Sequence, residues 1–273
     1  MKTLKKHVIL FDAECPMCGF YTNAFVKTGM LESTGRVAYQ DFPTETCPML
    51  DQERAVNEIA LVNQETGEVT YGVASLLKVI GTSFTFLMPL FTFRPFVWLM
   101  SKAYAFISYN RRVIIPAKVS SSASAAQPTF KLKYRVAYLL FTWLLTGLIL
   151  TSYAKLLSPL TPLGDLNREY LICGCQILFQ GLVILLLKPQ KVWDYLGNMM
   201  TISFAGALLL LPVILLSNLM FISPYLCTAW FLLVAGIMLL EHIRRVSLLD
   251  LSWVMSLTWV LYRVIILILI LII

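Results

Sequence analysis

The feature that most constrains this chain is a series of apolar runs beyond Ala137, each near the roughly 20 residues a helix needs to cross the hydrocarbon core of a bilayer. Five spans are expected, at about 137–157, 170–187, 201–221, 225–240 and 251–273. Hydrophobic residues make up 58% of the 273 and charged residues only 14%, but the imbalance is confined to this half. Up to about Arg112 charges are frequent, and the stretch VSSSASAAQPTF has the small, polar composition of a linker. Three parts follow: a soluble head over 1–116, a flexible basic linker over 117–135 and an all-α transmembrane bundle over 136–273. The bilayer is the first partner the sequence implies.

The net charge of +7 does not point to nucleic acid, because the basic residues fall largely in short loops beside apolar segments. Lys131, Lys133 and Arg135 precede the first span, Lys188 and Lys191 follow the second, and Arg244 and Arg245 follow the fourth. The intervening connections carry Asp165, Arg168 and Glu169, then no charge near Ser223. Basic loops mark the cytoplasmic side, so the head is expected in the cytoplasm of a multi-pass plasma (inner) membrane protein. The basic start Met1 to Lys6 is followed by too short an apolar run, VILF, for a secretory signal. Residues 82–116 contain Pro89, Arg94 and Pro95, which favours two helices packed on the head or lying at the membrane surface over a further span.

In the head, HVILF reads as a buried strand ending at Asp12. A helix follows, with Cys15 as N-cap, Pro16 at its first position, and Met17, Phe20, Tyr21, Ala24 and Phe25 at three- and four-residue spacing, closed by Gly29. RVAYQDF (36–42) is a second strand, EIALVN (58–63) and EVTYGV (68–73) form a hairpin around a turn, and VASLLKVIG (73–81) is a helix stopped by glycine. Strand, helix, strand, hairpin, helix is the order of a thioredoxin-like α/β core. The fold class expected is therefore a thioredoxin-like α/β domain followed by a helical membrane bundle.

Cys15 and Cys18 stand three apart at that helix start, a spacing that closes into a small disulfide ring. The amino end of a helix favours negative charge, so Cys15 can be a thiolate at neutral pH and attack a disulfide, with Cys18 resolving the mixed disulfide. Asp12 and Glu14 oppose this by charge repulsion, or one of them accepts a proton. A cytosolic disulfide is transient, so the six cysteines are not a structural framework.

The run FDAECPMC resembles the D-x-x-C-x-x-C signature of the DCC family of thiol-disulfide oxidoreductase-like domains. YGVASLLKVIG is similar to that family's G-x-x-A segment, and YNRRV (109–113) to its closing aromatic-x-N-R element; together they cover about the first 115 residues. The resemblance implies a thioredoxin-like fold and redox activity toward a thiol or disulfide partner, protein or small molecule. It carries over Asp12, Cys15 and Cys18 as the motif, with Asn110 and Arg111 beside it and Glu14 and Pro16 supporting. No proline stands directly before EIALV, where thioredoxins place a cis-proline facing the cysteines. No cofactor beyond the cysteine pair is expected. A zinc site from His7, Cys15, Cys18 and Cys47 is an alternative, as is a transporter or scaffold whose head only senses redox state or metal.

In the spans, Cys173 and Cys175 point to nearly opposite helix faces at about 100° per residue, and read as helix packing beside Gly174 or as part of a relay with Cys227. Arg263 falls about 18 Å along the last span by helical rise, which marks a path residue or one bonded to a neighbouring helix. Tyr262, Asp165 and Glu169 are its candidate partners. Glu241 and His242 read as interfacial.

Overall fold

The structure, a computed structural model, describes residues 2–42, 49–117, 129–162 and 164–272. Contacts divide it into two compact units, Met1–Tyr134 and Arg135–Ile273.

The first unit is built on a four-stranded mixed sheet. Strand β1 (His7–Phe11) leads into helix α1 (Pro16–Lys27) and then β2 (Arg36–Ala38), which pairs parallel with β1. A short helix α2 (Gln52–Asn57) precedes the antiparallel hairpin of β3 (Ala60–Asn63) and β4 (Val69–Tyr71), and β3 pairs antiparallel with β1. The order β2-β1-β3-β4 puts the apolar run HVILF in the middle, where both faces are covered. Alternation along β1 sends Ile9 to one core with Leu31, Ile59, Leu61 and Val79, and Val8 and Leu10 to the other with Ala55, Ala60 and Val62. Helices α3 (Val73–Ser83), α4 (Met88–Thr92) and α5 (Arg94–Ile114) complete the unit.

Several bounds differ from the sequence expectation, each for a local reason. β2 stops at Ala38 because Tyr39 still donates to Phe11 but Asp41 turns back onto Ala38. The short helix α2 had no apolar periodicity to announce it; Asp51 caps it by accepting the Arg54 N–H at 3.0 Å. Gly72 before α3 has φ +61, and a Cβ there would meet a Glu58 carboxylate oxygen at 2.9 Å.

The second unit is helical: α6 (Leu132–Ala154), α7 (Arg168–Leu187), α8 (Val192–Ser217), α9 (Pro224–Leu248) and α10 (Val254–Ile272). Five helices here are long and apolar enough to cross a membrane, which suits a bilayer environment. Their outward residues agree, with Leu178 75% and Leu186 78% exposed on α7. α5 spans 21 residues but carries Arg94, Lys102, Arg111 and Arg112, and is not among the five.

Three of these helices begin or end five or more residues from the expected bounds, α6 starting at Leu132 instead of near 137. α8 begins at Val192 instead of near 201, because Tyr195, Asn198 and Thr201 are buried and bonded to Gln180, Arg245 and Tyr138 of other helices in the bundle. α9 runs to Leu248 rather than ending near 240, since Glu241 pairs with Arg244 and Arg245 on its own helix, each at 2.7 Å, and Arg245 donates to Asn198 at 3.0 Å.

Close packing between α6 and α7 hinges on Gly147. A Cβ added there would stand 2.5 Å from the Tyr170 ring, a rigid group that also receives the Trp143 indole N–H on its backbone oxygen at 2.9 Å. Gly147→Ala should therefore destabilise the bundle by about 1–3 kcal/mol through overpacking. Thermal unfolding in detergent checks this, and a variant as stable as the parent would show that α6 and α7 separate freely.

Candidate thiol site

The site grows out of the turn between β1 and α1. Asp12 accepts the Cys15 N–H on its backbone oxygen at 3.1 Å and the Glu14 N–H on Oδ1 at 3.1 Å, which folds the chain tightly ahead of the helix. Cys15 has extended backbone (φ −97, ψ 106) and caps α1, its sulfur accepting the Cys18 N–H at 3.4 Å. Pro16 follows at the first helical position, where its missing N–H costs nothing. Cys15 and Cys18 are both free thiols, 4% and 7% exposed.

The charges around them come from far along the chain. Arg111 on α5 donates to Asp12 Oδ2 at 3.0 Å and to the Val56 carbonyl at 2.9 Å, and both side chains of the pair are almost fully buried. Arg112 reaches Glu14 at 3.4 Å and Asp12 at 3.6 Å. Gln40, just past β2, donates to Asp12 Oδ1 at 3.1 Å. The carboxylates that could have held the thiols protonated are thus each matched by a guanidinium.

Cys15 is lowered to about 6, first by the hydrogen bond from the Cys18 thiol, then by the Cys18 N–H and the Arg111 charge; burial and Asp12 work against it. Cys18 is pushed up, because it donates that hydrogen bond, is buried, and lies beside the Cys15 charge. Burial lifts Tyr104 to about 12, and also Tyr39 to about 12 with Asp12 adding to it. Burial opposes the charge on Arg111, yet Cys18, Cys15 and Asp12 together hold its pKa above the ordinary value. The two sulfurs share one proton, with the negative charge resting on Cys15.

Cys18, and not Cys15, lines a cavity of about 200 Å³ bordered by α1, β1, α2, α3 and α5 and open on one side. Asp12, Tyr21, Glu58, Tyr104, Ser108 and Arg111 are its polar lining, and the Arg111 Nε–H is buried with no hydrogen-bond partner among the described residues. The Tyr104 hydroxyl accepts the Ile59 N–H at 2.9 Å.

Comparison with known proteins gives no family to attach. No family model, curated protein or solved structure matches this chain.

Of the sequence candidates, Asp12, Glu14, Cys15, Pro16, Cys18 and Arg111 come together here. Asn110 faces elsewhere: it is fully buried and donates to the carbonyls of Phe106 at 2.9 Å and Tyr134 at 3.1 Å, so its bonds join backbone segments. Gln40, Tyr21, Tyr104 and Arg112 were not singled out from the sequence; the only signal was the second arginine of NRR opposite the two acids of DAE. Among the described residues no three His, Cys, Asp or Glu side chains converge as a metal site, and Cys47 lies outside the described residues. His7 bonds through Nδ1 to the Lys5 carbonyl at 2.7 Å.

In the bundle, Cys173 is buried and Cys175 exposed, as their angular separation requires, and Cys227 is buried with its carbonyl accepting the Tyr153 hydroxyl at 2.7 Å. Arg263 lies midway along α10, its guanidinium 3.7 Å from the Trp259 ring centroid and 3.4 Å from the Gln176 amide oxygen. Those two stand in place of the partners expected from sequence, since Tyr262 donates to the Ile172 carbonyl at 2.7 Å and Glu169 pairs with Arg168 at 2.8 Å. His242 is not interfacial but 1% exposed. It bonds the Tyr195 hydroxyl at 3.1 Å and Ser256 at 3.2 Å, and Tyr195 donates to Gln180 at 2.7 Å.

Proposed function

We propose that this chain is a membrane-anchored thiol-disulfide oxidoreductase, whose head is a thioredoxin-like module of the DCC type held in the cytoplasm. The observation that carries the reading is the pair itself: two free thiols at the start of α1, the first hydrogen-bonded by the second and lying near the Arg111 guanidinium. The β1–α1–β2 unit followed by a hairpin and a helix supports the fold assignment.

In this reading the Cys15 thiolate attacks one sulfur of a substrate disulfide, whose S–S bond breaks and releases one half as thiolate. Cys18 gives its proton to that thiolate and attacks the Cys15 sulfur, expelling the second half. The products are a Cys15–Cys18 disulfide and two reduced sulfurs, and a partner thiol returns the pair to the dithiol. Asp12 and Arg111 touch no substrate sulfur in this scheme; they set the charge around the pair.

The Cys15→Ser, Cys18→Ser double variant should lose all disulfide-reductase activity in a thiol-coupled assay of the full-length protein. Activity equal to the parent would remove the proposal. A second reading rests on a different observation, the buried Gln176–Arg263–Trp259 contact inside the bundle. There the five helices form a transporter or scaffold and the head is a redox or zinc sensor. Loss of solute uptake in Arg263→Ala with the thiols intact would favour it.

A further inference from the structure

The cavity beside the pair has a size, a lining of paired charges and apolar walls, and a thiol residue in that lining, and together they describe an occupant. We infer that it is the docking site of a small neutral disulfide with short oxygen-bearing arms, and that Cys18 is the sulfur such a substrate meets first. This rests on the redox reading above and, for this substrate class, reverses the order in which the two sulfurs act.

Size comes first. A cavity of about 150 Å³ accommodates benzene, so about 200 Å³ takes a molecule of roughly eight to ten non-hydrogen atoms. Glutathione disulfide is several times larger than this cavity, and both thiols are buried. Leu10, Met17, Ile59 and Leu76 give the walls an apolar character that suits methylene and sulfur. Ile107, 44% exposed, stands at the rim and leaves a way in from solvent.

Charge and hydrogen bonding narrow the class. Both carboxylates of the lining are already paired, Asp12 with Arg111 at 3.0 Å and Arg112 at 3.6 Å and Glu58 with Arg54 at 3.3 Å, so a charged arm would give up its hydration without gaining a counter-ion. Tyr21, Tyr104, Ser108 and Arg111 bring hydroxyl and guanidinium groups to the lining, and a hydroxyl or amide oxygen on a short arm suits them. Neutral, oxygen-bearing and small are the three properties these walls select.

The chemistry balances through the shared proton. Cys18 passes its proton uphill to the Cys15 thiolate along their hydrogen bond, and the rarer but more nucleophilic Cys18 thiolate attacks the nearer substrate sulfur; the substrate S–S bond breaks and the first half leaves as thiolate. Cys15 gives the proton to that thiolate and attacks the Cys18 sulfur, and the second half leaves as thiolate. One thiolate, one thiol and one small disulfide become the Cys15–Cys18 disulfide, one small thiol and one small thiolate.

The test uses the full-length protein in detergent, reduced and then mixed with hydroxyethyl disulfide at alkaline pH, with adducts located by mass spectrometry after an acid quench. Cys15→Ser cannot resolve and should accumulate the adduct on Cys18. In an otherwise unaltered chain, Leu76→Trp should slow closure of the pair at least tenfold, and the rim variant Ile107→Trp gives the same reading if Leu76→Trp fails to fold. The dianionic dithiodiglycolate should close the parent pair at least tenfold more slowly than the neutral probe. An adduct on Cys15 of Cys18→Ser with Cys18 of Cys15→Ser left free would overturn the inference and leave the redox reading standing. Equal closure rates in the parent and both tryptophan variants, or equal rates with the two probes, would also overturn it. If hydroxyethyl disulfide fails to close the parent pair, the inference falls; closure by reduction of insulin in the same sample then preserves the redox reading, and no closure with either sinks both.

Discussion

Arg111→Met should destabilise the head by about 3–5 kcal/mol, the largest effect expected of any single substitution outside the spans. The guanidinium lies 3.0 Å from Asp12 Oδ2 with both side chains almost fully buried, and removing it strands a carboxylate away from water. It also removes the donor to the Val56 carbonyl. Such a pair is not by itself a strong source of stability, because taking two charges out of water costs about what their attraction returns. The cost arises when one partner goes and the other stays. Arg111→Met combined with Asp12→Leu should therefore recover much of the loss. Hydrogen exchange of the β1 and β3 amides in the full-length protein measures both. Unchanged protection in the single variant would mean that the Asp12 charge is compensated by Arg112 and Gln40 alone. Arg111→Lys should not rescue fully, since an ammonium cannot hold Asp12 and the Val56 carbonyl with one planar fork.

A titration of the thiolate absorbance should show the Cys15 midpoint near pH 6, three units below the ordinary thiol value of 9, with that step absent in Cys15→Ser. The sign follows from the causes: the hydrogen bonds from Cys18 and the Arg111 charge favour the charged form, so the thiolate persists above the lowered pKa and is lost as pH falls through it. At pH 7 about 90% of Cys15 would be ionised, against about 1% for an unshifted thiol. Reaction rates would change much less. A lower pKa also lowers intrinsic nucleophilicity, and with a Brønsted slope of about 0.4–0.5 three units cost roughly 15- to 30-fold, leaving a net gain of several-fold at pH 7. The midpoint is the sharper observable. A step near pH 9 would show that burial and Asp12 outweigh the donors.

Much of the site was legible because its elements are local. HVILF followed by D-x-x-C-P-x-C states a strand, a turn and a capped helix start within a dozen residues, and Cys15, Pro16 and Cys18 take up those positions. The five apolar helices were legible for the same reason, since length and hydropathy are properties of a single segment. Their ends were not. α8 starts nine residues earlier than its apolar run because Tyr195, Asn198 and Thr201 find partners inside the bundle, which a hydropathy profile counts as polar. His242 misled in the same way, reading as interfacial while lying buried against Tyr195 and Ser256.

The sequence alone determined that two thiols stand at a helix start in a chain carrying five long apolar helices, because backbone propensity, proline chemistry and segment hydropathy act over a few neighbouring residues. Only the tertiary structure decided the charge around that pair. Asp12 sits next to the thiols in sequence and raises the Cys15 pKa; Arg111, nearly a hundred residues later, folds back onto Asp12 and adds its charge to the local hydrogen bonds from Cys18 that lower it. Tertiary packing likewise placed Cys18 in the cavity lining. Charge compensation and cavity walls depend on which distant side chains meet across a buried space, and no local pattern records that.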